Sequence, residues 1–196
     1  LTDLMAVRRV YRLTGFNLLL GAYFKALSID KPLDIKTFVE NYTEKKYGFN
    51  KKESDIFLKT LLISRPLIKD GEPFESSLMF DQILDSARWE LKTLEELDVK
   101  KNQREFSHYL LMAKSRRNYL ELINIEREIN EDGLTDEQRK SIVLKLKNLI
   151  TGTKKINKQY IKANKEVYYV SELRLDNELR TAKMILLYDR LRRKRN

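Results

Sequence analysis

At 196 residues with 42% hydrophobic content, the chain suits one domain of ordinary size or a small helical domain with an extension, and it is too apolar to be wholly disordered. It has no cysteine and one histidine, His108, which excludes disulfides, thiolate zinc sites, cysteine nucleophiles and any mechanism needing two imidazoles. The net charge of +10 is unevenly spread: residues 1–100 are neutral, 101–138 carry −2, and 139–196 carry +12.

Residues 16–24, FNLLLGAYF, follow Arg8, Arg9 and Arg12, a charged start and apolar middle like a signal peptide's. Asn17 interrupts that run, and Lys25 stands where small residues precede a cleavage site. The expectation is therefore a buried first helix from Leu4 to about Leu27, apolar on most sides, and no transmembrane segment. The chain begins at Leu1, as a processed or trimmed chain does. The lack of cysteine favours a reducing compartment, inside a cell or inside a nucleic-acid-containing particle.

Pro32 breaks the first helix and Asp34 can cap a second, in which Ile35, Phe38, Val39 and Tyr42 share a face until Gly48 ends it. Asn50 and Glu53 form a capping box for a third helix whose buried face is Ile56, Phe57, Leu61 and Leu62. Residues 65–74, with Pro66, Gly71 and Pro73, are the strongest loop signal in the chain and a candidate boundary. A fourth helix is expected from Ser76 or Ser77 to Leu97, and a fifth from about Asn102 to Ile129, separated by a turn at residues 131–133 from a sixth that opens with a Thr135/Gln138 capping box.

The last segment carries the most regular pattern. Ile156, Tyr160, Ala163, Val167, Val170, Arg174, Asn177, Thr181, Met184, Tyr188 and Leu191 alternate spacings of 4 and 3, the heptad signature of a helix packed along a narrow seam. Arg174, Asn177 and Thr181 are polar, so either the helix breaks near Ser171 or its seam faces something polar. Val167–Val170 could instead form a short strand.

Chemistry-bearing motifs are sparse. Glu105 and His108 have the Glu-x-x-His spacing of a di-metal centre, but such a centre needs the motif twice. Gly15, Gly21 and Gly71 lie in no phosphate-cradling sequence, and no nucleophile elbow is present. Asp81, Asp85 and Glu90, and likewise Glu95, Glu96 and Asp98, read as solvated helix faces rather than an acidic metal cluster. No catalytic residue, metal or cofactor is expected.

The basic arm is the remaining signal. Lys155, Lys158, Lys162 and Lys165 fall 3, 4 and 3 apart and form one helical stripe, which Tyr169 would continue after another 4; Lys145, Lys147 and Lys154 precede them. Arg190, Arg192, Arg193, Lys194 and Arg195 make a basic tail. Lysines suit the neutralisation of a phosphate backbone, and Tyr160, Tyr168 and Tyr169 could stack on unpaired bases, although Tyr160 also fits the apolar seam. The reading is an all-α helical bundle with a long basic C-terminal helix or helical hairpin, organised as residues 1–70, 71–134 and 135–196 or as one domain. Its expected role is non-catalytic binding of DNA or RNA by the arm from Lys140 to Lys165. The alternative is a structural or adaptor subunit of an assembly or homo-oligomer, docking on an acidic protein surface or through its helices.

Overall fold

The computed structural model describes residues 14–29, 31–130, 134–166 and 168–193. Seven helices occupy most of them: α1 (Thr14–Leu27), α2 (Ile35–Tyr47), α3 (Lys51–Leu61), α4 (Phe80–Glu96), α5 (Gln103–Asn130), α6 (Asp136–Asn164) and α7 (Val170–Arg193). One antiparallel hairpin, β1 (Ile68–Lys69) and β2 (Glu72–Pro73), interrupts them, so the fold is all-α. The expected start of the first helix at Leu4 and the turn at residues 131–133 lie outside the described residues.

Two compact units emerge, one of residues 1–65 and 85–113, the other of 66–84 and 114–196. The first is built on aromatic packing. Tyr47 and Phe57 are fully buried and, with Phe49, Phe106 and Tyr109, pack ring to ring at centroid distances of 5.2–6.4 Å, mostly edge to face. Val39, Leu91, Leu94 and Ala113 complete this core. Local signals position it. Asp34 accepts from the amides of Lys36 and Thr37, and Asn50 and Glu53 exchange hydrogen bonds of 2.7 and 2.9 Å as the capping box requires. Gly48 closes α2 at φ +77°, a conformation that a Cβ would strain.

Several sequence expectations fail in this unit. α1 is not apolar-buried all round: Leu18 is buried, whereas Leu19, Tyr23, Phe24 and Leu27 are each more than half exposed. A Cβ on Gly21 would lie 3.4 Å from the Phe38 ring, so α1 approaches α2 closely at this small residue. Ile35 and Leu62 are likewise exposed, because both sit at helix ends, outside the packed stretch.

In the second unit, Leu122 and Ile125 of α5, Ile142 and Leu146 of α6, and Met184 and Leu191 of α7 form the core. α4 begins at Phe80 rather than Ser76, since residues 68–73 are consumed by the hairpin and Ser76 accepts from the amide of Leu78 in a local turn. Asp70 and Gly71 both have positive φ, +52° and +84°, as a two-residue type I′ hairpin needs. Among the described residues no helix is long and apolar enough to cross a membrane.

Candidate nucleic-acid interface

The heptad seam of the last segment is not one helix but two. α6 ends at Asn164, and α7 starts at Val170 and returns along α6. The break falls several residues before Ser171. It is capped locally: the Asn164 amide donates to Tyr160 O at 2.9 Å, and the Tyr168 N–H donates to Asn164 O at 3.1 Å. Tyr168 and Tyr169 lie in this turn and form no strand.

Of the seam's polar positions, Asn177 finds its partner across the hairpin, whereas Thr181 donates to Asn177 O within α7 at 2.9 Å and Arg174 is exposed. Asn157 and Asn177 each donate their side-chain amide to the other's backbone carbonyl at 3.3 Å. One layer further along, Asn118 of α5 donates to the Thr153 hydroxyl at 2.9 Å, and that hydroxyl donates to Met184 Sδ at 3.7 Å. Hydrogen bonds made across helices by buried amides fix their register, even though the Asn157, Asn177 and Asn118 side-chain oxygens are left without a partner among the described residues. Tyr160, fully buried, is covered by the Arg180 guanidinium 4.1 Å from its ring centre.

With one face of α6 committed to this core, its lysines are forced outward. The helix opens with the Thr135/Gln138 capping box and with Asp136 and Glu137 in its first turn, where acids favour the helix dipole. From Gln138 to Lys165 there is no further acid. At about 100° per residue, Lys140, Lys147, Lys154, Lys155, Lys158, Lys162 and Lys165 fall within roughly 100° of arc, opposite Ile142, Leu146, Thr153, Ile156 and Tyr160. All seven are exposed, and among the described residues none has an ion pair. The row is about 37 Å long at 1.5 Å per residue. Between its lysines stand Leu144 and Thr151, with no aromatic and no arginine.

The other expected binding residues do not join this row. Lys145 lies on a different side of α6, where Glu128 of α5 holds its ammonium at 2.8 Å. Tyr169 is exposed but sits past the end of α6 in the turn, so it does not continue the stripe. Tyr160 belongs to the core and offers no stacking face. Arg190, Arg192 and Arg193 are exposed but spread over roughly 160° around the last turn of α7. Arg190 lines a cleft of about 450 Å³ together with Asp70, Glu72, Glu126, Arg127 and Lys183, a mixed-sign lining. Lys194 and Arg195 lie outside the described residues.

Three of the carboxylates weighed as metal ligands pair with cations of their own chain. Glu105 receives the Lys46 ammonium at 3.0 Å, and Glu90, 5% exposed, receives Arg65 at 2.6 Å. Asp85 pairs with Arg88 at 3.1 Å. His108 is half-buried, and burial holds its imidazole below the ordinary histidine range. Among the described residues no three potential metal ligands converge.

What the arrangement defines is a helical protein with seven exposed lysines on one side of α6 that have no ion pair among the described residues. No protein-family model matches the chain, and neither the curated proteins nor the solved structures include a match.

Proposed function

We propose that the chain binds nucleic acid, without catalysis, by laying the outer face of α6 against a phosphate backbone. The observation that carries this reading is the row of seven exposed lysines over a stretch with no acid. Ordinary solvated helices intersperse both signs; here no acid competes with a polyanion, whose condensed counterions the lysines can displace. The face favours duplex over single-stranded ligand. Single-strand binding draws much of its affinity from bases stacked on aromatic side chains, and this face has none. A duplex instead presents the denser charge, about one per 1.7 Å, and the row spans about one duplex turn. Lysines engage phosphates as point charges and read no base edge, so sequence preference should be slight.

The test is charge reversal on full-length protein with a duplex of mixed sequence, read by fluorescence anisotropy. Lys158→Glu, Lys162→Glu and Lys165→Glu together should weaken binding at least about tenfold at moderate salt. The salt dependence should flatten by about 0.9 for each phosphate no longer neutralised. The same reversal of the exposed Lys45, Lys51 and Lys52 should do little. Equal weakening by both triples would leave only non-local charge as the cause and overturn the assignment.

A second reading, a structural subunit of a larger assembly, is favoured by the uncovered apolar side chains of α1 and α7. It anticipates association of the protein free of nucleic acid.

A further inference from the structure

A second group of cations converges in the first unit, where a count along the chain hides it because residues 1–100 are neutral overall. α2 ends at Tyr47, α3 begins at Lys51, and the segment between α4 and α5 folds onto that corner. The Lys100 and Lys101 N–H groups donate to Tyr47 O at 3.0 and 3.1 Å, and the Asn102 side-chain amide donates to Lys46 O at 2.6 Å. A Cβ on Gly48 would lie 3.0 Å from Lys100 Cβ and 3.7 Å from Lys101 Cγ. Lys45 and Lys51 are each three residues from Gly48, hence within about 11 Å of it, and Lys52 is one residue further. Residues 44–53 and 98–105 together hold seven cations against four acids. Three of the acids are engaged: Glu105 by Lys46 at 3.0 Å, Asp98 by Lys100 at 3.7 Å, and Glu53 by the Asn50 N–H at 2.7 Å. The fourth, Glu44, is exposed. Lys45, Lys51, Lys52 and Lys101 are exposed too, and among the described residues none of the four has an ion pair. Two of them stand where the fold disfavours them. Lys45 lies in the last turn of α2, where a cation suits the helix dipole, but Lys51 and Lys52 open α3, where the dipole is positive.

We infer that this corner is a second, weaker contact for a phosphate backbone, so that a chain with one duplex on α6 captures another through its first unit. The inference rests on the reading of α6 as a duplex-binding face. The corner's chemistry selects the occupant. Every exposed residue of the two stretches is polar or charged, because Tyr47, Phe49 and Phe106 all turn into the core. The corner therefore offers no apolar anchor of the kind a protein partner uses, and no aromatic platform for an unpaired base. What it offers is point charge on flexible stems, which suits phosphates and reads no sequence. A polyanion laid there would also relieve the repulsion that Lys51 and Lys52 meet at the start of α3. Four unpaired lysines against seven on α6 make this the weaker contact, so affinity for a first short duplex stays set by α6.

The experiment is sequential capture. Full-length protein is loaded at low salt onto a short immobilised duplex, washed, and offered a second, fluorescent duplex of the same length. Wild type should retain the fluorescence. Lys45→Gln, Lys51→Gln, Lys52→Gln and Lys101→Gln together should cut that retention at least about fivefold, while affinity for a single duplex, read by anisotropy, changes by less than about twofold. The midpoint of urea unfolding of this variant should not fall, because the changes remove like charge from the corner; a lower midpoint would show the lysines to be built into the fold and overturn the inference. Binding of the first duplex without retention of the second, or equal retention by the quadruple variant, would overturn it too and leave the α6 reading standing. A wild type that fails to bind even the first duplex would sink both.

Discussion

The hairpin of α6 and α7 is held in register by amides rather than by apolar packing at its midpoint, and replacing both Asn157 and Asn177 with Leu tests what that arrangement costs. Each amide donates one hydrogen bond of 3.3 Å, at the long end of the useful range, contributing about 0.5–1 kcal/mol net. Each side-chain oxygen is buried without a partner among the described residues, a desolvation cost of about 1–3 kcal/mol. Leu keeps the branched shape, removes both orphaned oxygens, and adds apolar burial. The backbone carbonyls that lose the amides stay inside regular helix, and Asn177 O also accepts from Thr181 at 2.9 Å. The balance favours the double variant by about 1–3 kcal/mol after some repacking strain, raising the midpoint of thermal unfolding of this unit by several degrees. Urea unfolding followed by circular dichroism, at unchanged slope, measures it directly. A loss of more than about 1 kcal/mol would refute the reasoning, since the amides would then be net stabilising rather than retained for register.

Three further outcomes follow from the same kind of argument. Gly48→Ala should lose about 1–2 kcal/mol in urea unfolding: the left-handed conformation resists a Cβ, and that Cβ would sit 3.0 Å from Lys100 Cβ, whose backbone is tied to Tyr47 O. Arg65→Met should cost roughly 1–3 kcal/mol by removing the 2.6 Å ion-pair partner of the buried Glu90 carboxylate, and a double-mutant cycle with Glu90→Gln would register the coupling between the two. His108 predicts a pH dependence. Its folded-state affinity for protons is depressed by burial, so the unfolded chain binds more protons below about pH 6.5 and stability falls as pH drops through that value; above about pH 7 the group contributes no slope. His108→Gln should flatten the urea midpoint between about pH 7.5 and pH 5.5, either side of the ordinary histidine range.

Much of the helical scaffold was legible because its signals are local. The Asn50/Glu53 and Thr135/Gln138 capping boxes, the Asp34 cap and the left-handed Gly48 each involve residues a few positions apart, and each forms as the sequence suggests. The hairpin at residues 68–73 was not read: proline and glycine density marked the segment as loop, whereas Asp70 and Gly71 make a two-residue turn between paired strands. The turn between α6 and α7 was harder. A heptad run passes through it without interruption, and spacing alone cannot tell one long helix from two that share a seam by folding back. What decides is that Asn157 and Asn177 meet each other's carbonyls, a contact between residues 20 apart. The lysine row was visible as charge and spacing, but its extent was not. Lys145 drops out through Glu128 and Tyr169 through the turn, both consequences of tertiary placement. The exposed Leu175, Leu179 and Leu186 stood outside the heptad pattern, which in α7 passes through the buried Asn177, Thr181, Met184 and Leu191 on the opposite side.

The most direct test of the lysine face is the salt dependence of duplex binding. If five to seven of its lysines meet phosphates, log K should fall against log[salt] with a slope of about −4.5 to −6, and a single strand of the same length should bind more weakly at every salt concentration. A slope near zero, or tighter binding to the single strand, would contradict the account.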